Sequence, residues 1–205
     1  MSIFNRYPDF ILGTRPVKEA VMWKEAPDAI PSKFTARIAD SGVKIVLVKN
    51  FGTYERIVDG DKIEYDALRD VIIVIDPSPR VLPWGVGDGY YTLNGRRYRV
   101  RANGSYTVKI TNEYDFLRWS TALRYDNVLT SQDVKKRLGT AILPVINSVL
   151  TDKYATCAGS IDDYKALSAD LKRRLNDALT SFEVNCGTEI SEVFINSVES
   201  VAIVT

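Results

Sequence analysis

The chain has no histidine and only two cysteines and two methionines among its 205 residues. Without an imidazole, a Ser-His-Asp or Cys-His nucleophile has no general base, and a catalytic zinc site loses its commonest ligand. Cys157 and Cys186 lack CxxC spacing and are too few for a disulfide framework. They read as two reduced thiols of an intracellular chain, with a bridge between them as the alternative. No run of about 18 apolar residues occurs, so no helix is expected to span a bilayer. Met1 to Gly13 lack the basic start and long apolar middle of a signal peptide, and the chain reads as cytoplasmic. Neither charge sign is in excess: 27 Lys plus Arg against 26 Asp plus Glu leave a net charge of +1. That is too little to steer the whole chain to nucleic acid or an anionic membrane. Internal repeats, low-complexity stretches and long Gly/Ser linkers are also missing.

What is present is 45% hydrophobic residues in a length that suits one fair-sized domain or two small ones. The rhythm of those residues changes once along the chain. From Lys33 to Ile110, short β-branched and aromatic runs ("KFTARIA", "VKIVLV", "VIIVID", "YYTL", "RRYRVRA", "SYTVKI") alternate with turn signals. Asn94-Gly95 and Asn103-Gly104 supply the positive φ angles of tight turns and predict two successive hairpins, with "PSPRVLPWGVGDG" as a turn-rich connection. From Thr111 the period becomes helical. Asn112 is placed to cap "EYDFLRWSTALR", striped by Phe116, Trp119 and Leu123. Thr130 or Ser131 caps a helix striped by Val134, Leu138, Ile142, Val145 or Ile146, and Val149, and Pro144 is expected to kink or split it near Thr140. Ser160 and Asp163 resemble a capping box for the strongest helix, striped by Tyr164, Leu167, Leu171, Leu175, Leu179 and Phe182 and stopped by Asn185 and Gly187. The tail, "TEISEVFINSVESVAIVT", reads as one or two closing strands. Strands, then helices, then strand make an α+β fold, with antiparallel β-sheets and two to three helices.

Three passages in this order resemble a known family. They are "VMWKEAPDAIPSKFTARIADSGVKIVLVKNFGTYERIVDGD", then "LPWGVGDG" with "YRVRANGSYTVKITNEYDFL", then "LKRRLNDALTSFEVNCGTEISEVFINSV". Together, over about residues 20 to 200, they look like an SPFH domain (stomatin, prohibitin and flotillin, or band 7). More narrowly they look like the bacterial branch labelled "virion core protein-like". The resemblance implies an N-terminal arm or interfacial segment over 1–19 and a single domain over 20–205. Within that domain the β-rich part covers about 20–110, the helical part about 112–184, and the closing strands about 188–204. It also implies a scaffold that oligomerises and organises partner proteins at a membrane surface.

The motifs that suggest chemistry each carry a plainer reading. Asp40-Ser41-Gly42 has the triplet form of a retroviral-type aspartic protease, but these are also the usual β-turn residues, and the turn is preferred. Asp59-Gly60-Asp61 and Gly87-Asp88-Gly89 continue into neither a calcium loop nor a phosphate loop and read as turns. Arg96, Arg97, Arg99 and Arg101, near Tyr90, Tyr91 and Tyr98, form a basic aromatic strip of the kind that grips single strands. Alternation puts Arg97, Arg99 and Arg101 on one face, and the six acids among residues 55 to 70 are expected to neutralise it. Ile3, Phe4, Tyr7, Phe10, Ile11 and Leu12 give a helical stripe that would lie in a lipid interface, or else an arm packed on its own domain. Trp23, Trp84 and Trp119 read as core anchors. In the closing strand, Ile190, Val193, Ile195 and Val198 are the candidate oligomer edge.

The expectation is therefore a non-enzymatic SPFH-like scaffold with no cofactor or metal. Its partners are further copies of itself and a membrane protein or membrane surface, at the inner face of the membrane. Nucleic acid is disfavoured as a partner. The alternative is a virion-associated or nucleic-acid-binding module using the strip from Arg96 to Arg101.

Overall fold

The computed structural model describes residues 7–50, 52–120, 128–156, 164–181 and 185–203. The fold is mixed α+β with mostly antiparallel sheets. The chain forms two compact units: Met1–Ser78 with Ser120–Ser131, and Pro79–Trp119 with Gln132–Thr205.

The first unit holds two sheets. One is three-stranded: β3 (Lys33–Ile38) lies between β1 (Asp9–Leu12), parallel to it, and β6 (Lys62–Glu64), antiparallel. The other is an antiparallel five-stranded sheet. It also contains β2 (Ala20–Lys24), β4 (Lys44–Lys49), β5 (Thr53–Ile57), β7 (Val71–Ile75) and β10 (Val128–Thr130), in the order β10-β2-β7-β4-β5. Its central strands are continuous apolar runs instead of alternating ones. Ile45, Val46 and Leu47 are all buried, as are Ile72, Ile73, Val74 and Ile75, so both faces of these strands are covered. Each such side chain contributes about 1.5–3 kcal/mol by leaving water. Trp23 and Phe34 fill the same core. The buried carboxylate of Asp76 is compensated by Arg15 and by the backbone N–H of Ser78.

The second unit is built on three long strands, β8 (Arg80–Leu93), β9 (Arg96–Ile110) and β11 (Thr188–Ala202), in the antiparallel order β11-β9-β8. Asn94 (φ 50°) and Gly95 (φ 77°) close the β8–β9 hairpin in the left-handed region, as their sequence requires. The second predicted hairpin does not form. Asn103 and Gly104 lie inside β9, and the "PWGVGDG" stretch lies inside β8. Gly104 serves close approach, not a turn: a Cβ there would collide with the Phe194 carbonyl oxygen and sit 2.7 Å from the Trp84 ring. The Gly87-Asp88-Gly89 glycines fall at a bulge between Val86 and Gly89, which shifts the register of β8 against β9 by one residue.

Among the described residues this unit also has α1 (Glu113–Trp119), α2 (Ser131–Thr156) and α3 (Tyr164–Leu179). Asn112 Oδ1 accepts from the N–H groups of Tyr114 and Asp115 at 3.0 and 3.2 Å, the expected N-cap. Leu123, Ser160, Asp163 and Phe182, assigned to helix stripes or caps from the sequence, lie outside the described residues. The 26-residue α2 runs through Pro144 without a break at Thr140. An interior proline costs about 3 kcal/mol. Leu138, Ile142, Ile146, Val149 and Leu150 are buried on either side of it, and at about 1.5–3 kcal/mol each they outweigh that cost. In α3, Leu167, Leu171, Leu175 and Leu179 are buried in the predicted stripe, whereas Tyr164 at its start is exposed. Gly187 (φ 63°) follows, packed so closely on α1 that a Cβ would lie 2.6 Å from the Phe116 nitrogen. Cys186 is a free buried thiol 2.8 Å from Thr188 Oγ1, and burial pushes its pKa up; Cys157 lies outside the described residues.

Candidate interaction surface

The β8–β9–β11 sheet has one face covered by helices and one open. On β9, Val100, Ala102, Tyr106 and Val108 are buried, while the alternating Arg97, Arg101, Asn103 and Lys109 are exposed. On the covered side Tyr98, Tyr91 and Tyr154 of α2 stack in a row, with centroids 5.1 and 5.4 Å apart. Tyr91 Oη meets Ser200 Oγ at 2.6 Å, tying β8 to β11 across β9. Burial pushes the Tyr154 and Tyr106 hydroxyls up to about 12, with Tyr164, Tyr91 and Glu199 adding to the effect at Tyr154.

The arginine strip lies where alternation places it, but its counter-charges come from elsewhere. Arg97 sits over the Tyr90 ring at 4.5 Å, and Arg99 bonds the Asp88 carboxylate at 3.1 Å and the Gly87 carbonyl. Arg101 stands opposite Glu199 in the β11 register, and Arg96 is exposed beside the hairpin turn. The acids of residues 55 to 70 pair within the first unit instead: Glu55 with Lys49, Asp59 with Arg37, Glu64 with Lys33 and Asp66 with Arg69. The Asp88 and Glu199 carboxylates offset the field that a phosphate backbone would need.

β11 is an edge strand, but Ile190, Val193, Ile195 and Val198 do not form its outer surface. Ile190 and Val193 are buried and the other two half-buried on the helix-covered side. Bulges at Ile190/Glu192 and Ile195/Ser197 shift the phase twice, so the open face carries Glu189, Glu192, Phe194, Glu199 and Val201. Strict alternation misses Phe194 and Val201, which are 53% and 47% exposed. At Ile190 the edge is closed: the Asn176 side-chain amide of α3 donates to the Ile190 carbonyl at 2.9 Å and accepts from its N–H at 2.7 Å. Asn176 thus substitutes for a neighbouring strand.

The opposite edge, β8, borders a groove of about 450 Å³. One wall is Pro83, Trp84 and Gly85; the other is the α2 face running from Gln132 through Lys135, Lys136 and Gly139 to Leu143. Pro83 at an edge withholds no ladder donor, and Val81 beside it is 67% exposed. Trp84 is 5% exposed, yet its Nε1–H has no acceptor among the described residues, a deficit of about 1–3 kcal/mol. Among the described residues, neither Lys135 nor Lys136 has a carboxylate partner. Nothing in the sequence periodicity announced this groove, because it joins β8 to α2 residues about 50 positions away, with Tyr106 of β9 between them in the chain.

The remaining sequence candidates are placed as follows. Ile3 and Phe4 lie outside the described residues. Residues 9–12 form β1 and not a helical stripe, with Pro8 contributing its carbonyl to the Thr35 N–H at 2.8 Å. Phe10 meets Phe34 edge-on at 5.4 Å, Leu12 is fully buried, and Tyr7 Oη donates to Glu64 at 3.2 Å. Of these side chains Ile11 points outward, at 63% exposure. Asp40 caps its own turn, accepting from the Gly42 N–H at 2.8 Å between β3 and β4. Asp59 and Asp61 likewise accept from the N–H groups of Ile38 and Val58. Trp23 and Trp84 are buried and Trp119 is half-buried against Phe116. Among the described residues no group of three potential metal ligands occurs, and no helix is long and apolar enough to cross a membrane. Compared with known proteins, the chain matches no family model and no curated protein.

Proposed function

We propose that this chain is a non-enzymatic, SPFH-like scaffold that associates with further copies of itself and holds partner proteins at the inner surface of a membrane. The observation that carries the self-association is the open face of the β8–β9–β11 sheet. Val81, Tyr90, Phe194 and Val201 are 42–67% exposed there. They lie among a basic row (Arg97, Arg101, Lys109) and an acidic row (Glu189, Glu192, Glu199) on adjacent strands. Exposed apolar groups between rows of opposite charge make a surface complementary to itself, because a second copy turned over the first sets acid on base. The membrane placement and the family assignment are supported by the sequence resemblance.

Light scattering at tens of micromolar is the test, repeated with the Phe194→Glu variant. An assembly larger than one chain, reduced by Phe194→Glu and strengthened at low salt, is the expected result. A monodisperse monomer under all conditions defeats the scaffold reading. Co-sedimentation with vesicles containing anionic lipid examines the membrane part separately, and protein left in the supernatant removes it.

A further inference from the structure

We infer that the groove between β8 and α2 is a docking site for an extended acidic segment of a partner protein, which adds a strand to the β8 edge and inserts an apolar side chain between Trp84 and Leu143. This surface is distinct from the open sheet face, and the inference does not depend on self-association.

Three features of the groove converge on that occupant. Its shape suits a strand: the α2 wall from Gln132 to Leu143 is about 16 Å long, which matches about five residues of extended chain. β8 is an edge strand, so apart from Pro83, which has no N–H to offer, its outward backbone groups are available for pairing, the usual route by which peptides join a sheet. Its chemistry suits an apolar side chain flanked by acids. Trp84, Tyr106, Ile142 and Leu143 supply apolar surface, while Lys135 and Lys136 stand at the wall without carboxylate partners among the described residues. Elsewhere on the helices of this unit, Arg118, Arg173 and Arg174 have aspartate partners. At the groove the two α2 lysines thus leave their charge for a ligand, although Arg137, Lys165 and Lys172 on these helices are also without a carboxylate partner among the described residues. The buried Trp84 N–H also lacks an acceptor among the described residues, which a partner carbonyl or carboxylate would provide.

The test uses the full chain and a fluorescein-labelled peptide, EEVFEVEE, followed by fluorescence anisotropy at low salt. A second peptide replaces every glutamate by lysine, and a third carries N-methyl groups on alternate amides to block strand pairing. Saturable binding of the first peptide alone is expected, weakened about tenfold by the double change Lys135→Glu with Lys136→Glu. Binding is expected to be unchanged by Phe194→Glu. The Trp84 indole N–H resonance, assigned with Trp84→Phe, should move on titration while those of Trp23 and Trp119 stay. Equal binding of the lysine or N-methylated peptide, or indifference to the lysine changes, overturns the inference. Loss of self-association in place of peptide binding in the lysine variant also overturns it, because the occupant is then a second copy.

Discussion

The five-stranded sheet of the first unit and the three-stranded sheet of the second are both antiparallel, yet they use their strands in opposite ways. β4 and β7 bury consecutive apolar side chains, Ile45 to Leu47 and Ile72 to Ile75, so their sheet is a core element. β9 and β11 bury alternate residues, which leaves one face and two edges outside the core. A strand covered on both sides gives stability and little else. One covered on a single side retains half of its side chains for contact with other molecules. The candidate interaction surface therefore belongs to the second sheet.

That contrast breaks if core truncations and surface changes have similar effects. Leu47→Ala, in the doubly covered β4, is expected to cost about 2–5 kcal/mol in chemical denaturation. Phe194→Ser on the open face should stay within about 0.5 kcal/mol. Comparable losses would mean that the open face is structural. An effect between these two is expected at the sheet edge. Asn176→Ala removes both side-chain bonds to Ile190 and should cost about 1–3 kcal/mol, together with faster hydrogen exchange at the Ile190 amide. Unchanged exchange there would show that Asn176 does not close the edge.

A small, pH-dependent effect concerns Glu25 in the first unit. Burial raises its pKa above the usual carboxylate value, although the Gly13 N–H bond opposes the shift. A raised folded pKa means that the folded state binds the proton more tightly than the unfolded chain. Its stabilising contribution is then fully present below the ordinary carboxylate pKa and is lost as pH rises through the folded value. Glu25→Gln should flatten the dependence of stability on pH in that window, read by thermal melts from pH 4 upward at about 1 kcal/mol or less. An unchanged slope would assign the titration to another group.

Much of the fold was legible in the residues. Asn94-Gly95, the Asn112 cap and the leucine stripe of α3 are local signals, and each is found where its pattern puts it. Asn103-Gly104 misled because the same dipeptide serves a turn or a close approach, and the Trp84 ring that requires the glycine lies 20 residues away. The candidate edge residues of β11 were found as apolar positions but assigned to the wrong surface, since two bulges change which face they meet. The groove was not legible at all.

By itself the sequence determined the class of fold, the order of its elements and the lack of any imidazole chemistry. These depend on composition and on periods of two and about 3.6 residues, which are properties of neighbouring positions. The tertiary structure alone decided which face of β11 stays open, which carboxylates answer the arginines, and that Lys135, Lys136 and Trp84 share a groove. Those outcomes depend on register, bulges and the distance of closest approach between segments far apart in the chain, and no local pattern encodes them.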